Sequence, residues 1–343
     1  GIYAKFVSVI VTILAAFYFK NYLALLLGTA VMVLSQLVLS YTVSPFRPKF
    51  LLTFPPGMMS YSGFLVIRNL VSFSRSQIDV LLAGKLGGAN SVGQFKVARD
   101  FSVMPLSELV TPVMQPFFAS LSQLKHDKER MVEKTYQILF LAWSVIFISL
   151  ACFISLQSEF TRVVLGENWL EVGDFIGILA FLMIPFVTQS VFYMLYDLIG
   201  KTKNSIWNDI YGLSAIVISF LLFKPSTLIE FAGLRVIVGV SSFIVILTLA
   251  KFFLPVSLRK IGLVLAIPLV SSLVTLFTVL YLKRVWEIEV PSLALIFYGG
   301  LALVLYALVF SVILRLIRGG AAVFILRLLP ELVFNWLKKL KVL

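Results

Sequence analysis

Arg68, Ser72, Arg75 and Asp79 follow one another at helical spacing in a stretch that is otherwise largely apolar. At roughly 100° per residue they fall in a stripe about 60° wide, with Leu70, Phe73 and Leu81 on the other side. An arginine or aspartate at the centre of a bilayer costs about 2.5–3.5 kcal/mol on insertion scales. The stripe must therefore face protein or a water-filled cavity. Two arrangements satisfy that demand. In one, Asp79 pairs with Arg75 one turn away and the stripe holds helices together. In the other, Arg68 and Arg75 line a cavity and attract an anionic group, with Asp79 as counter-charge or ion-coupling site. Asp79 lies near the end of its helix, which favours the ion pair for that residue. Arg68 has no acidic neighbour one turn away, which favours the cavity. Arginine suits such a cavity because its planar fork grips phosphate oxygens in pairs.

Other charges sit in apolar surroundings. Lys96 and Asp100 are spaced to pair at i, i+4, while Arg99 between them is placed to join the Arg68 stripe. Glu108 lies deeper and is a candidate protonatable, ion-coupling site. Arg235 is either a cavity residue or the partner of Glu230, five residues away. Asp197 and Asp209 are near helix ends, where Lys201 and Lys203 are the expected partners. Pro112 and Pro116 recur at helical spacing, and Pro185 interrupts a later apolar run; each removes a backbone hydrogen bond and is a candidate hinge.

The elements that carry these residues follow from composition. Of 343 residues, 60% are hydrophobic and 13% charged, against about 45–50% and 25% in soluble domains. So little charge cannot cover so much apolar surface in water, and the solvent for most of the chain is lipid. Ten stretches have the length and apolarity of a spanning helix, at about 2–19, 22–43, 60–83, 92–121, 136–157, 173–198, 205–223, 228–250, 262–282 and 291–314. The runs are long and do not alternate, which excludes a β-barrel. The expected fold is an all-α, integral-membrane, polytopic helix bundle. With the first helix starting in the cytoplasm, 17 basic residues fall in the cytoplasmic loops and tail and 6 in the opposite loops, as the positive-inside rule requires. That asymmetry accounts for most of the net charge of +13 without nucleic acid. The cytoplasmic set includes Arg47, Lys49, Lys125 and Lys128. The tail, 320–343, is either an interfacial helix or a loose basic segment.

Several chemistries have no residues to support them. Cys152 is the only cysteine and His126 the only histidine, so no intrachain disulfide and no thiol- or imidazole-based metal cluster is expected. No phosphate-binding glycine loop, zinc-protease or serine-hydrolase motif occurs, so neither a cofactor nor an enzymatic activity is expected. The chain opens on Gly1 and reads as a fragment.

From Gln77 the chain runs Q-I-D-V-L-L-A-G-K-L-G-G-A-N-S-V-G-Q-F-K-V-A-R-D, later T-P-V-M-Q-P-F-F-A-S-L-S-Q-L, and V-L-G-E-N-W from Val164 to Trp169. These segments resemble the Wzx-type polysaccharide flippases of the multidrug/oligosaccharidyl-lipid/polysaccharide exporter superfamily. The resemblance implies a fourteen-helix, two-lobe transporter of which these are the last ten helices. Residues 1–50 would end the N-terminal lobe, 51–250 form the C-terminal lobe, and 251–343 supply two extra helices and a basic tail. It also implies alternating access in a bacterial cytoplasmic membrane. The cargo would be an undecaprenyl-diphosphate-linked oligosaccharide, its diphosphate held by Arg68, Arg75, Arg99 or Arg235. Its partners would be that lipid-linked oligosaccharide, membrane lipids and other polysaccharide-assembly proteins. Three rivals remain. A cation-coupled drug exporter is disfavoured by the arginine stripe. A flippase for the peptidoglycan-precursor lipid would share the basic cavity. A membrane glycan polymerase or ligase would need a longer outer loop than Ser158 to Val172.

Overall fold

In the computed structural model, residues 2–43, 58–124 and 127–317 are described, together with 324, 325 and 328. Arg47, Lys49, Lys125, His126 and nearly all of the 320–343 tail lie outside them. The described residues form ten main helices and no strand. They are α1 (Ile2–Phe19), α2 (Leu23–Val43), α3 (58–86), α4 (89–123), α5 (Lys128–Ser155), α6 (170–198), α7 (Lys203–Phe223), α8 (Leu228–Phe253), α9 (Leu258–Val285) and α10 (Pro291–Leu316). Each expected span corresponds to one of them. Helices α2 and α5 to α10 are long and apolar enough to cross a bilayer on length and composition alone. Helix α1 is apolar but shorter. Helices α3 and α4 fall short because they carry the charged and polar residues singled out above.

Two compact units are present, Gly1–Phe64 and Leu65–Leu343. In the first, α1 and α2 pack through small residues. Ala4, Ala15 and Ala24 are buried, and the Ser8 hydroxyl donates to the Gly28 carbonyl at 2.8 Å. Small side chains let backbones approach where lipid offers no hydrophobic drive for association.

In the second unit, α3 and α4 form a hairpin. Gly87 and Gly88 break the run between them, and Gly88 has φ 68° and ψ −151°, a conformation essentially reserved for glycine. Helix α4 then passes through a π-helical turn, Leu106–Val110, before its last segment, Thr111–Gln123. Pro105, Pro112 and Pro116 surround that turn and cannot donate to the helix ladder. Pro185 lies in the first turn of Met183–Leu198, directly after a 3-10 turn, Ala180–Leu182, that interrupts α6.

Helices α5 and α6 are the most buried of the spans. Tyr136, Phe140, Trp143 and Phe147 of α5 and Phe192 and Tyr196 of α6 belong to one apolar core. The start of α5 is capped by Asp127, which accepts from the Arg130 amide at 3.1 Å. Thr227 caps α8 by accepting from the Glu230 amide at 3.2 Å. Glu230 in turn accepts from the Ser226 amide at 2.7 Å; this arrangement satisfies amides that a helix start leaves open. A second apolar cluster, with Leu82, Phe95, Ile176 and Phe231, joins the α3–α4 hairpin to α6 and α8. The loop from 156 to 169 folds into short helical turns. Glu159 in that loop meets Lys283 of α9 at 2.8 Å.

Candidate functional site

A cavity of about 300 Å³ opens between α3, α4, α6, α7 and α8. Three arginines line it, one each from α3, α4 and α8: Arg75, Arg99 and Arg235. Two carboxylates, Asp79 and Asp209, share it, so the formal charge of the lining is +1. Asp79 and Asp209 are each 1% exposed, Arg75 7% and Arg235 4%. Charges this deeply buried are stable only when paired.

The pairing crosses between helices. Arg75 Nη1 donates to Asp209 Oδ1 of α7 at 2.6 Å. The same oxygen accepts from Tyr193 at 2.8 Å and Gln189 at 3.2 Å, both on α6. Asn208 donates to the Tyr193 hydroxyl at 3.1 Å. Arg235 Nε donates to Asp79 Oδ2 at 2.7 Å, and its guanidinium lies 5.7 Å from the centre of the Phe186 ring. Arg99 is held differently. It donates to the Ser76 carbonyl at 2.7 Å and lies 3.9 Å from Asp79. Asp79 Oδ1 is buried without a hydrogen-bond partner. Arg99 is thus the arginine least committed to a carboxylate, and Asp79 stands between two cations.

Gly212 of α7 makes room for Arg75. A Cβ there would lie 2.6 Å from Arg75 Nε and 2.9 Å from its Cζ. Gly212→Ala is expected to push the guanidinium off Asp209 and to destabilise the unit by about 1–3 kcal/mol. Thermal unfolding in detergent, compared with Gly233→Ala where a Cβ meets nothing within 4 Å, checks it.

Several expectations are corrected. Asp79 does not pair with Arg75; its partner is Arg235 of α8, because the α3 stripe faces α7 and α8 and each charge meets an opposite charge across the gap. Arg235 consequently does not pair with Glu230, which serves its own helix start. Arg68 is not free of carboxylates. Its fork donates to Asp197 of α6 at 3.1 and 3.3 Å, in a half-buried pair that is not part of the cavity lining. Asp197 and Asp209 were expected to meet Lys201 and Lys203, but their ion pairs are with arginines of α3. Lys96 and Asp100 are both exposed and form none of the ion pairs found among the described residues. Glu108 is exposed within the π turn of α4.

The residues that sequence reasoning missed are Asp209 as the anchor of Arg75, and Tyr193, Gln189 and Asn208 around it. A signal existed for some of them. Gln189 and Tyr193 are one helical turn apart in an apolar helix, and Asp209 is followed by Gly212 on the same face. Among the described residues, no group of three or more His, Cys, Asp or Glu is placed to hold a metal ion.

A family model described as polysaccharide biosynthesis protein matches residues 1–174. An uncharacterized membrane protein in the cps region of Klebsiella pneumoniae is 24% identical over 33% of this chain and 23% of its own length. The teichuronic acid biosynthesis protein TuaB of Bacillus subtilis is 24% identical over 54% of this chain and 39% of its own. The lipopolysaccharide biosynthesis protein WzxC of Escherichia coli is 22% identical over 39% of this chain and 26% of its own. The matched region is thus well under half the length of each of these relatives. In fold, the chain is similar to the lipid II flippase MurJ in an inward closed conformation, with a TM-score of 0.69 and 17% identity over 91% of this chain and 67% of that one. The chain is a multi-pass protein of the bacterial cytoplasmic membrane, and it belongs to the polysaccharide biosynthesis protein family, as its resemblance to the Wzx-type proteins implied.

Proposed function

We propose that this chain is part of a transporter that carries a lipid-linked oligosaccharide across the cytoplasmic membrane for surface polysaccharide synthesis. The observation that carries this reading is the buried cavity with three arginines and two carboxylates. An interior site with an excess of guanidinium donors suits an anion with several oxygens, such as the diphosphate of a polyprenyl-linked sugar. Arg99 offers the most available donors, and Arg75 and Arg235 supply charge at fixed positions. Arg68 is assigned to holding α3 against α6. Glu108 and Asp79 are the candidate coupling and counter-charge residues. The broken stretches around Pro112, Pro116 and Pro185 are the candidate bending points.

The lobe assignment follows the same reading. Residues 1–50 end one lobe, 51–250 form the other, and 251–343 add two helices and a tail. Transport would be alternating access driven by a gradient or by the cargo's own imbalance, without a bond-breaking step in the protein. Its partners would be the lipid-linked oligosaccharide, membrane lipids and neighbouring polysaccharide-assembly proteins.

Deleting the gene from its own strain is expected to abolish surface polysaccharide and to accumulate lipid-linked oligosaccharide facing the cytoplasm. Accumulation of the peptidoglycan precursor instead would assign the cavity to that lipid. Unchanged polymer with increased drug sensitivity would assign it to drug export.

A further inference from the structure

The cationic cavity contains its own anions. Its lining carries +1 with Asp79 and Asp209 in place. A diphosphate esterified at both ends brings two negative charges, so its entry takes the site from +1 to −1. An uncompensated charge among groups this deeply buried is costly. One carboxylate must therefore give up its arginine when such an anion binds.

The two carboxylates are not held alike. Asp209 Oδ1 accepts from Arg75, Tyr193 and Gln189. Two of those donors are neutral side chains, which keep Asp209 in place whatever happens to Arg75. Asp79 has no such support. Its Oδ2 accepts from Arg235 Nε at 2.7 Å, Arg99 is 3.9 Å away, and Oδ1 is buried without a hydrogen-bond partner. What holds Asp79 is thus a pair of cations that an incoming anion also seeks. Its bare oxygen loses no hydrogen bond on leaving.

Asp79 also differs in what it ties together. Arg68, Arg75 and Asp79 link α3 to Asp197 of α6, Asp209 of α7 and Arg235 of α8. In the first two pairs α3 supplies the cation. In the third it supplies the anion, and the cation belongs to α8. A bound phosphate can therefore replace the α3 side of that pair and leave Arg235 where it is. Resting on the reading of the cationic cavity given above, we infer that Asp79 occupies Arg235 in place of the cargo anion, and that the bound anion takes this guanidinium over. Anion binding and the Asp79–Arg235 tie between α3 and α8 then exclude one another. A ligand shifts a conformational equilibrium only through interactions that differ between the states, and the exchange of partners at Arg235 is such an interaction.

The test measures pyrophosphate affinity by isothermal titration for the unsubstituted chain, Asp79→Asn, Arg235→Gln and the double variant, all in detergent. Asp79→Asn is expected to bind about 10- to 100-fold more tightly, the effect of one unit charge at roughly 6–10 Å under an effective dielectric near 20. In the Arg235→Gln background the same substitution should gain at least about fivefold less, because there is no guanidinium to release. Equal gains in both backgrounds make Asp79 a distant like charge and overturn the inference. Unchanged or weaker binding by Asp79→Asn makes it a support that orients Arg235, and overturns it as well. Hydrogen exchange of the unsubstituted chain is a second readout that needs no variant to fold. Saturating pyrophosphate should speed exchange within 76–83 of α3, and slower or unchanged exchange there with the anion bound overturns the inference. In each of these cases the cavity reading stands, since pyrophosphate still binds. An unsubstituted chain that does not bind pyrophosphate removes the cavity reading and this inference with it.

Discussion

Asp209→Ala is expected to destabilise the Leu65–Leu343 unit by about 3–5 kcal/mol, the usual cost of removing one member of a buried ion pair. Asp209 Oδ1 accepts from Arg75, Gln189 and Tyr193 at once. Removing it strands a guanidinium that is 7% exposed and two neutral donors. Little water reaches the pair to take over, so the desolvation cost of each donor appears in full. Asp209→Asn keeps an oxygen for Tyr193 and Gln189 and loses only the charge, so it should fall between alanine and the natural residue. The double variant Arg75→Met with Asp209→Leu removes both charges and should recover most of the loss. Denaturation of the purified chain in detergent reads all three. An Asp209→Ala protein within about 1 kcal/mol of the unsubstituted one would mean that the Arg75 pair is not buried as described.

The second expectation separates function from stability. Arg99→Ala should leave the unit folded and lower affinity for pyrophosphate by about 10- to 100-fold, the equivalent of one hydrogen bond to a charged group. Arg99 donates to the Ser76 carbonyl, an oxygen that also sits in the ladder of α3, and it lies 3.9 Å from Asp79. Its removal therefore leaves no buried carboxylate unpaired, since Arg235 remains on Asp79 at 2.7 Å. Arg235→Ala is the contrasting variant. It orphans Asp79, whose second oxygen already lacks a partner, and should lose stability together with anion binding. Isothermal titration with pyrophosphate, beside thermal unfolding of the same samples, distinguishes the two. Unchanged affinity in the Arg99→Ala chain would remove Arg99 from the anion site.

Much of this is legible in the sequence. Ten spans, their order and the cationic character of α3 follow from composition and periodicity, because lipid demands long apolar helices and makes every exception conspicuous. Arg75, Arg99 and Arg235 stand out for that reason, and all three reach one cavity. The turn at Gly88 and the broken course of α4 past Pro105 were signalled by residue types that cannot continue a regular helix.

The partners were a different matter. Along one helix, sequence spacing measures distance, so Asp79 was matched with Arg75, and Glu230 was the one carboxylate weighed as a partner for Arg235 beside its place in a cavity. In the folded unit the nearest opposite charges are on other helices, 134 residues away for Arg75 and 156 for Arg235. One-dimensional spacing carries no information about which helix faces a stripe, so the pairs Arg75–Asp209, Asp79–Arg235 and Arg68–Asp197 had to come from packing. The sequence by itself determined that charge is buried in a membrane bundle. Only the tertiary structure decided which charges neutralise one another and which arginine keeps donors to spare, because that depends on how helices far apart in the chain are brought face to face.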